Sequence, residues 1–149
     1  MKILLAVVSP RRPPPGPPAD LLKLYLDRAA RYAPTTLRVF PTEVTLLDFV
    51  AGERARTRPA LLLADSRGQL LSSEDLAATL GSFLDNGIQL LILAIGPADG
   101  WSDVALGSAT RTVAFGRMTL PHELAAVIAA EQLYRALTIR AGHPYHSGH

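Results

Sequence analysis

The chain has 149 residues, of which 48% are hydrophobic and 19% charged, with a formal net charge of +2 and no cysteine. This length and apolar content predict one domain over residues 1–149 with a substantial core, and they argue against extended disorder. The absent cysteines exclude disulfides and thiolate metal sites, and the small net charge does not by itself indicate nucleic-acid binding.

Lys2–Val8 is an apolar run close to the amino terminus, which is compatible with either a secretory leader or a buried strand. A secretory leader is the weaker interpretation, since Pro10 and Arg11 follow without a small-residue cleavage site. The run is better explained as a strand that is covered on both faces. No apolar run approaches the roughly 18 residues that span a bilayer, so we expect no membrane partner and a cytoplasmic location.

Strand and helix patterns alternate along the chain. Buried strands are predicted over Lys2–Val8, Leu37–Phe40, Ala60–Asp65, Gln89–Ile95 and Thr112–Phe115. Helices are predicted from a cap at Asp20 to about Ala33, over Thr45–Arg56, from Ser72 or Ser73 to Gly87, weakly after Ser102, and over His122–Ala141. Residues 9–19, with six of the twelve prolines, and residues 66–68 and 96–100 are expected to be loops. The alternation predicts an α/β fold, a parallel sheet flanked by helices.

Three segments follow strands and therefore lie where such sheets bind ligands: residues 64–68, 95–100 and 115–120. None contains a dinucleotide fingerprint or a phosphate-loop lysine. Gly96 and Gly100 favour two interpretations equally, a tight turn or a close approach of backbone to a flat ligand. His122, in the first turn of the last helix, is expected to cap that helix more readily than to contact a ligand.

The remaining charged and imidazole groups give weaker signals. His143 and His146 have no third ligand nearby in the sequence, so no metal is expected. Glu131 and Arg135, four residues apart, predict a solvated pair on a helix. Two arginine clusters either bind phosphates or form a solvated face: Arg11-Arg12 and the arginines at 54, 56 and 58.

The carboxyl-terminal segment carries the most specific pattern: Met118-Thr-Leu-Pro-His, then Glu131-Gln-Leu-Tyr-Arg-Ala, then Pro144-Tyr-His. With these motifs the chain resembles the bacterial ribosomal large-subunit methyltransferase H family, of the SPOUT class, over essentially its whole length. The resemblance implies a carboxyl-terminal trefoil knot, S-adenosylmethionine as cofactor, and methylation of N3 of a pseudouridine in 23S ribosomal RNA within the ribosome. It also implies a homodimer in which part of each site is formed by the surface of the partner protomer.

The resemblance further implies a set of site residues. The cofactor-binding residues would be Ala64, Gly96, Phe115, Gly116, Arg117, Met118, Thr119 and Leu120. Arg135, Tyr145 and His146 would be catalytic, orienting the base or stabilising its charge. No side chain is an obvious strong base, so alignment of donor and acceptor is expected to supply most of the rate.

Two alternatives remain open on the sequence. Pro97, Gln69 and Ala126 depart from the family's usual residues, which favours a diverged, weakly active or inactive homologue that dimerises and binds cofactor or RNA. A non-enzymatic, flavodoxin-like binding module leaves the terminal motif unexplained. A strip of alanines at 125, 126, 129 and 130 is compatible with a dimer interface or with packing inside one chain.

Overall fold

The computed structural model describes residues 1–53 and 56–147. Its strands are β1 (Lys2–Val8), β2 (Thr35–Phe40), β3 (Ala60–Leu70), β4 (Leu90–Ile95) and β5 (Arg111–Ala114). Its α-helices are α1 (Pro17–Ala30), α2 (Glu43–Gly52), α3 (Ser73–Asp85), α4 (Asp103–Ser108) and α5 (His122–Ala141), and a 3-10 turn spans Pro144–His146. All strand pairs are parallel, in the order β2-β1-β4-β3-β5. The predicted parallel sheet flanked by helices is therefore confirmed, and the knot stays a prediction.

The sheet is covered on both faces, which explains why its central strands are continuously apolar. Alternate residues of each strand enter two separate cores, as the twofold period of a strand requires. Ile3, Leu5 and Val7 pack with α1, α3 and α5 on one face. Leu4 and Ala6 pack with α2 and α4 on the other face. The two helix layers hold the carboxyl ends of β3, β4 and β5 side by side at one edge.

The alanines of α5 lie inside this core. Ala129 and Ala130 have no exposed surface, and Ala126 is buried too, so intramolecular packing explains these three residues. Their small side chains allow α5 to approach the sheet and its neighbours α1 and α3 closely. The alanine strip therefore gives no support to a dimer, and the homodimer rests on the family resemblance alone.

Two helix starts differ from the prediction. The first helix begins at Pro17, with Gly16 at the cap position, because a proline at the first helical position loses no needed amide donor. Asp20 lies in the first turn and does not cap. The second helix begins after Thr42, which forms a capping box with Thr45. It ends at Gly52, so Arg56 lies beyond it, and Arg54 falls outside the described residues.

The predicted exit turn after β3 is wrong, because the strand continues to Leu70 around an irregularity. Val113 of β5 is the register partner of both Ala64 and Gln69, and residues 65–68 bulge between these two pairs. Gly68 makes this possible, since a Cβ there would lie 2.7 Å from the carbonyl carbon of Thr112. The bulge displaces Asp65 and its neighbours towards the sheet edge where ligands are expected.

The other helices agree closely with the sequence. Ser72 is the cap of α3, in a reciprocal box with Asp75. The fifth strand ends at Ala114, one residue before the predicted end, so Phe115 belongs to the following loop. In the part of the chain that the structure describes, no helix is long and apolar enough to cross a membrane.

Candidate active site

A cleft of about 670 Å³ opens at the carboxyl edge of β3, β4 and β5. Its walls are the β3 bulge and the loops that follow β4 and β5, together with the start of α5. Seven of the eight predicted cofactor residues line it: Ala64, Gly96, Phe115, Gly116, Met118, Thr119 and Leu120. Arg117 is the exception and is not among the lining residues. Met118 is 84% exposed at the rim of the cleft, where it is free to contact a ligand or partner.

Trp101 supports the floor of this cleft, a role that was not predicted from the sequence. Its ring is buried, and its Nε1–H donates a hydrogen bond of 2.9 Å to the carbonyl oxygen of Ala64. A Cβ on Gly96 would lie 2.7 Å from Cε2 of this ring. The missing side chain at Gly96 therefore makes room for Trp101, and the interpretation that it makes room for a ligand is not needed.

The segment after β4 is a tight turn, as one of the two interpretations predicted. The Gly100 amide donates to the Pro97 carbonyl oxygen at 2.9 Å, and Gly100 has a φ of 88°, which favours glycine. Pro97 also lines the cleft. Because proline has no amide N–H, this position offers a ligand only its ring and its carbonyl oxygen.

Asp65 and Arg67 form a paired charge on the β3 bulge. Arg67 donates to both carboxylate oxygens of Asp65, from Nε at 3.0 Å and from Nη2 at 2.9 Å, and its amide donates as well. These hydrogen bonds hold the pKa of Asp65 below its usual value. Both residues line the cleft, so its β3 wall carries an ion pair in which the guanidinium balances the carboxylate.

His122 lines the cleft and does not cap α5, contrary to the expectation. The cap position is Pro121, and no side chain caps this helix. The Nε2 atom of His122 is buried and has no hydrogen-bond partner among residues 1–53 and 56–147. A buried polar atom without a partner is rare in folded proteins, and a polar ligand atom in the cleft would satisfy it.

The three predicted catalytic residues meet at a second place, around Glu131. Arg135 donates to Oε1 of Glu131 from Nε at 2.9 Å and from Nη2 at 2.6 Å, and the Tyr145 hydroxyl donates to the same oxygen at 3.0 Å. The Arg135 and Glu131 side chains are only 18% and 17% exposed. The expected solvated pair is therefore wrong, because the 3-10 turn of the tail covers it.

Tyr145 is fixed by its ring as well as by its hydroxyl. The ring centroid is 4.6 Å from that of Tyr134, and the Arg135 guanidinium carbon lies 4.8 Å from the Tyr145 centroid. Burial, and the hydrogen bond to Glu131, raise the pKa of Tyr145 far above its ordinary value. The hydroxyl therefore stays protonated and serves as a donor rather than as a base.

His146 bridges two helices from the tail. Its Nδ1 is 3.0 Å from Nη1 of Arg135 on α5, and its Nε2 is 2.7 Å from Oε1 of Glu74 on α3. The hydrogen bond from His146 lowers the pKa of Glu74. The predicted trio of Arg135, Tyr145 and His146 is thus one connected cluster with two carboxylates that the sequence analysis had not assigned to the site.

The cleft and the tail cluster are separate within one chain. Arg135, Tyr145 and His146 are not among the residues that line the cleft in the described part of the chain. In the described ranges, no group of three or more His, Cys, Asp or Glu side chains that could hold a metal ion occurs at either place or elsewhere. Any reaction that uses both places needs the tail of another chain or a rearrangement.

Three residues have roles in these two places that were not predicted from the sequence. Trp101 is the only tryptophan in the sequence and follows a candidate loop, a signal that could have selected it. Glu131 was noticed, but its contact with Tyr145 depends on the fold of the tail. Glu74 is 72 residues from His146, and no local pattern joins them.

Comparisons with known proteins agree with this architecture. The model of a family described as "Predicted SPOUT methyltransferase" matches residues 1–146. A protein of Koribacter versatilis named Ribosomal RNA large subunit methyltransferase H is 50% identical over 125 residues, 84% of this chain and 85% of that protein. A protein of the same name from Xanthobacter autotrophicus is 38% identical over 161 residues, 98% of this chain and 99% of that protein.

Solved structures share the fold at low identity. The SpoU methyltransferase AviRb from Streptomyces viridochromogenes, in complex with AdoMet, matches with a TM-score of 0.52 and 17% identity, over 95% of this chain and 58% of that one. The putative methyltransferase Lpg2936 from Legionella pneumophila, with bound SAM, matches with a TM-score of 0.53 and 16% identity, over 91% and 66%. This chain thus spans 58% of the first and 66% of the second. On the family match and the identity to its relatives, the chain belongs to the SPOUT methyltransferase family, together with the proteins named Ribosomal RNA large subunit methyltransferase H.

Proposed function

We propose that this protein transfers a methyl group from S-adenosylmethionine to N3 of a pseudouridine in 23S ribosomal RNA, within the ribosome and in the cytoplasm. The observation that carries the proposal is the cleft at the edge of β3, β4 and β5, lined by seven of the eight residues that the resemblance implies for the cofactor. The names of the relatives support a ribosomal RNA substrate, and the AdoMet and SAM bound in the two solved structures support the cofactor.

The residues of the cleft fit such a cofactor. Phe115 and Leu120 offer apolar surface to flat or aliphatic groups, and the unpartnered Nε2 of His122 offers a hydrogen-bonding site. The loop backbones at 95–100 and 115–120 would supply most of the remaining polar contacts. When bound, S-adenosylmethionine supplies a methyl group activated by the positive sulfonium.

The tail cluster suits a nucleobase whose ring nitrogen must become nucleophilic. Loss of the N3 proton to solvent water leaves negative charge on the imide, and a guanidinium stabilises such charge. Arg135 has five N–H donors, of which Glu131 takes two and His146 one, so two remain for a substrate. Tyr145 stays protonated and Nδ1 of His146 faces a donor, so neither is arranged as a strong base. Orientation and charge stabilisation are therefore the roles of this cluster.

A homodimer would bring the two places together. Because the tail cluster does not line the cleft of its own chain, we propose that the tail of one protomer closes the cleft of its partner. The exposed Met118 on the cleft loop is one surface that such a contact would cover. The family resemblance is the support for the homodimer, and the separation of the two places is compatible with it.

The proposal is tested by incubating the protein with S-adenosylmethionine labelled in its methyl group and with ribosomes that lack the modification. We expect label in 23S RNA with the unaltered protein and little label with Arg135→Ala. Label in protein or in 16S RNA alone would refute the proposed substrate.

One observation favours a second candidate, a diverged homologue that binds cofactor or RNA without efficient turnover. Pro97 lines the cleft where a residue with an amide N–H would give the cofactor a donor. Pro97→Gly restores that donor, and a rise in turnover of tenfold or more would favour this candidate. The family assignment leaves no support for the flavodoxin-like module.

A further inference from the structure

We propose that Glu74, at the start of α3, is a positioning residue for the reaction, because it holds the His146 ring and thereby the Arg135 side chain that faces the nucleobase. The effect of Glu74 on the reaction rests on the proposed function. Its hydrogen bond to His146 does not depend on that function. Glu74 is not part of the terminal motif, and it lies 72 residues from His146 in the chain.

The contacts of His146 with Arg135 and Glu74 favour one tautomer of its ring. A guanidinium has donors only, so Nη1 of Arg135 can hydrogen-bond to Nδ1, 3.0 Å away, only if Nδ1 carries no proton. The proton of the neutral ring then lies on Nε2, which donates to Oε1 of Glu74 at 2.7 Å. A protonated ring would point an N–H at an N–H of Arg135. The neutral Nε2–H form is therefore the one that satisfies both neighbours.

Glu74 is held firmly enough to act as an anchor. It lies in the first turn of α3, behind the Ser72 cap, where the helix dipole favours a carboxylate. The hydroxyl of Ser73 donates to Oε1 of Gln132 at 2.7 Å, and Nε2 of Gln132 donates to Oε2 of Glu131 at 2.9 Å. The two carboxylates that hold the tail, Glu74 and Glu131, are thus attached to helices that are themselves hydrogen-bonded together.

Each carboxylate restrains a different part of the cluster. Glu131 binds Arg135 through Nε and Nη2 and binds the Tyr145 hydroxyl, but it makes no hydrogen bond to His146 among those that the structure shows. Glu74 restrains the ring from the opposite side. Without Glu74, the ring keeps its contact with Arg135 but loses its hydrogen bond to α3. Glu74 is 61% exposed, so the expected effect is on geometry and rate rather than on folding.

The experiment compares Glu74→Ala and Glu74→Gln with the unaltered protein, using chains labelled with nitrogen-15 in histidine. The His146 ring signals are assigned by their absence in His146→Asn. Asp20→Ala is the matched control, since Asp20 is also an exposed acid in the first turn of a helix. Methyl transfer and cofactor affinity are measured on the same preparations.

We expect the unaltered protein to show His146 as a pure Nε2–H tautomer. Glu74→Gln keeps an acceptor oxygen and should retain this spectrum, with methyl transfer within twofold. Glu74→Ala should give exchange-averaged ring signals and slow methyl transfer by about twofold to fivefold, the range for one exposed ionic hydrogen bond, with unchanged cofactor affinity. Asp20→Ala should match the unaltered protein in every readout.

Identical His146 spectra in Glu74→Ala and the unaltered protein would overturn the inference, and so would an altered spectrum with unaltered methyl transfer. If the unaltered protein transfers no methyl group, the proposed function fails. The ring spectra then still decide whether Glu74 holds His146.

Discussion

Substituting Gly96 by alanine tests how the cleft is built. The new Cβ would lie 2.7 Å from Cε2 and 2.8 Å from Nε1 of Trp101, whereas ordinary contact begins at 3.4 Å. The ring must therefore retreat by roughly 0.7 Å from a buried position in which Nε1 is hydrogen-bonded to Ala64. Overpacking of this kind costs about 1–3 kcal/mol. A cost of about 2 kcal/mol lowers the unfolding temperature of a chain of this size by about 4–8 °C.

The free energy of unfolding is measured by urea titration, with Gly107→Ala as the control. A Cβ on Gly107, in helix α4, meets nothing within 4 Å, so this change should be neutral or stabilise the protein by about 0.5–1 kcal/mol. In a Trp101→Leu background, the cost of Gly96→Ala should fall below about 0.5 kcal/mol, which gives a coupling energy above about 1 kcal/mol.

Two results would refute this reasoning. Equal costs for Gly96→Ala and Gly107→Ala would show that Trp101 does not need the space. Equal costs of Gly96→Ala in both backgrounds would show that the ring is not the group displaced. Weaker binding of S-adenosylmethionine with unaltered stability would instead favour direct contact of Gly96 with the ligand.

Three further predictions follow from the site. Deleting residues 143–149 should suppress methyl transfer while calorimetry shows cofactor affinity within about threefold, and full methylation by this variant would exclude a catalytic tail. Equimolar mixing of Leu120→Asp, a cleft variant, with Arg135→Ala should restore about a quarter of the activity if subunits exchange at random and each site is shared, whereas sites built from one chain would show no recovery. Asp65→Asn should lower stability at neutral pH, and this cost should shrink as the pH falls below about 3.9. The depressed pKa of Asp65 means that its contribution is present above the unfolded value of about 3.9 and is lost as the pH falls through the folded value, so a cost that does not change between neutral and acid pH would contradict the pairing with Arg67.

The elements that the sequence predicted well are those specified by local pattern. The strands Lys2–Val8 and Leu90–Ile95 are continuous apolar runs, and the structure buries them on both faces. The last helix agrees at both ends because Pro121 precedes it and Gly142, with a φ of 71°, ends it. Some residues owe their burial to the apolar pattern of their own strand or helix and to the proline or glycine at its ends. These residues can be placed without knowledge of the rest of the fold.

The elements that the sequence did not predict depend on contacts between distant segments. The extension of β3 to Leu70 requires the second pairing with Val113, which no local pattern in residues 65–70 specifies. Likewise, the space at Gly96 is explained by Trp101, and the orientation of His146 by Glu74. The family motifs identified most of the residues that line the cleft. They could not identify the distant residues that contact and orient these residues.

We propose that the cleft and the tail together methylate one ring nitrogen of one RNA base. Mass spectrometry of nucleosides from 23S RNA tests this, after the purified protein and S-adenosylmethionine have acted on ribosomes that lack the modification. We expect N3-methylpseudouridine to appear, at about one per 23S molecule, and to be absent with Arg135→Ala. A methyl group on another base or on a ribose oxygen, or no methylated nucleoside despite cofactor binding, would contradict it.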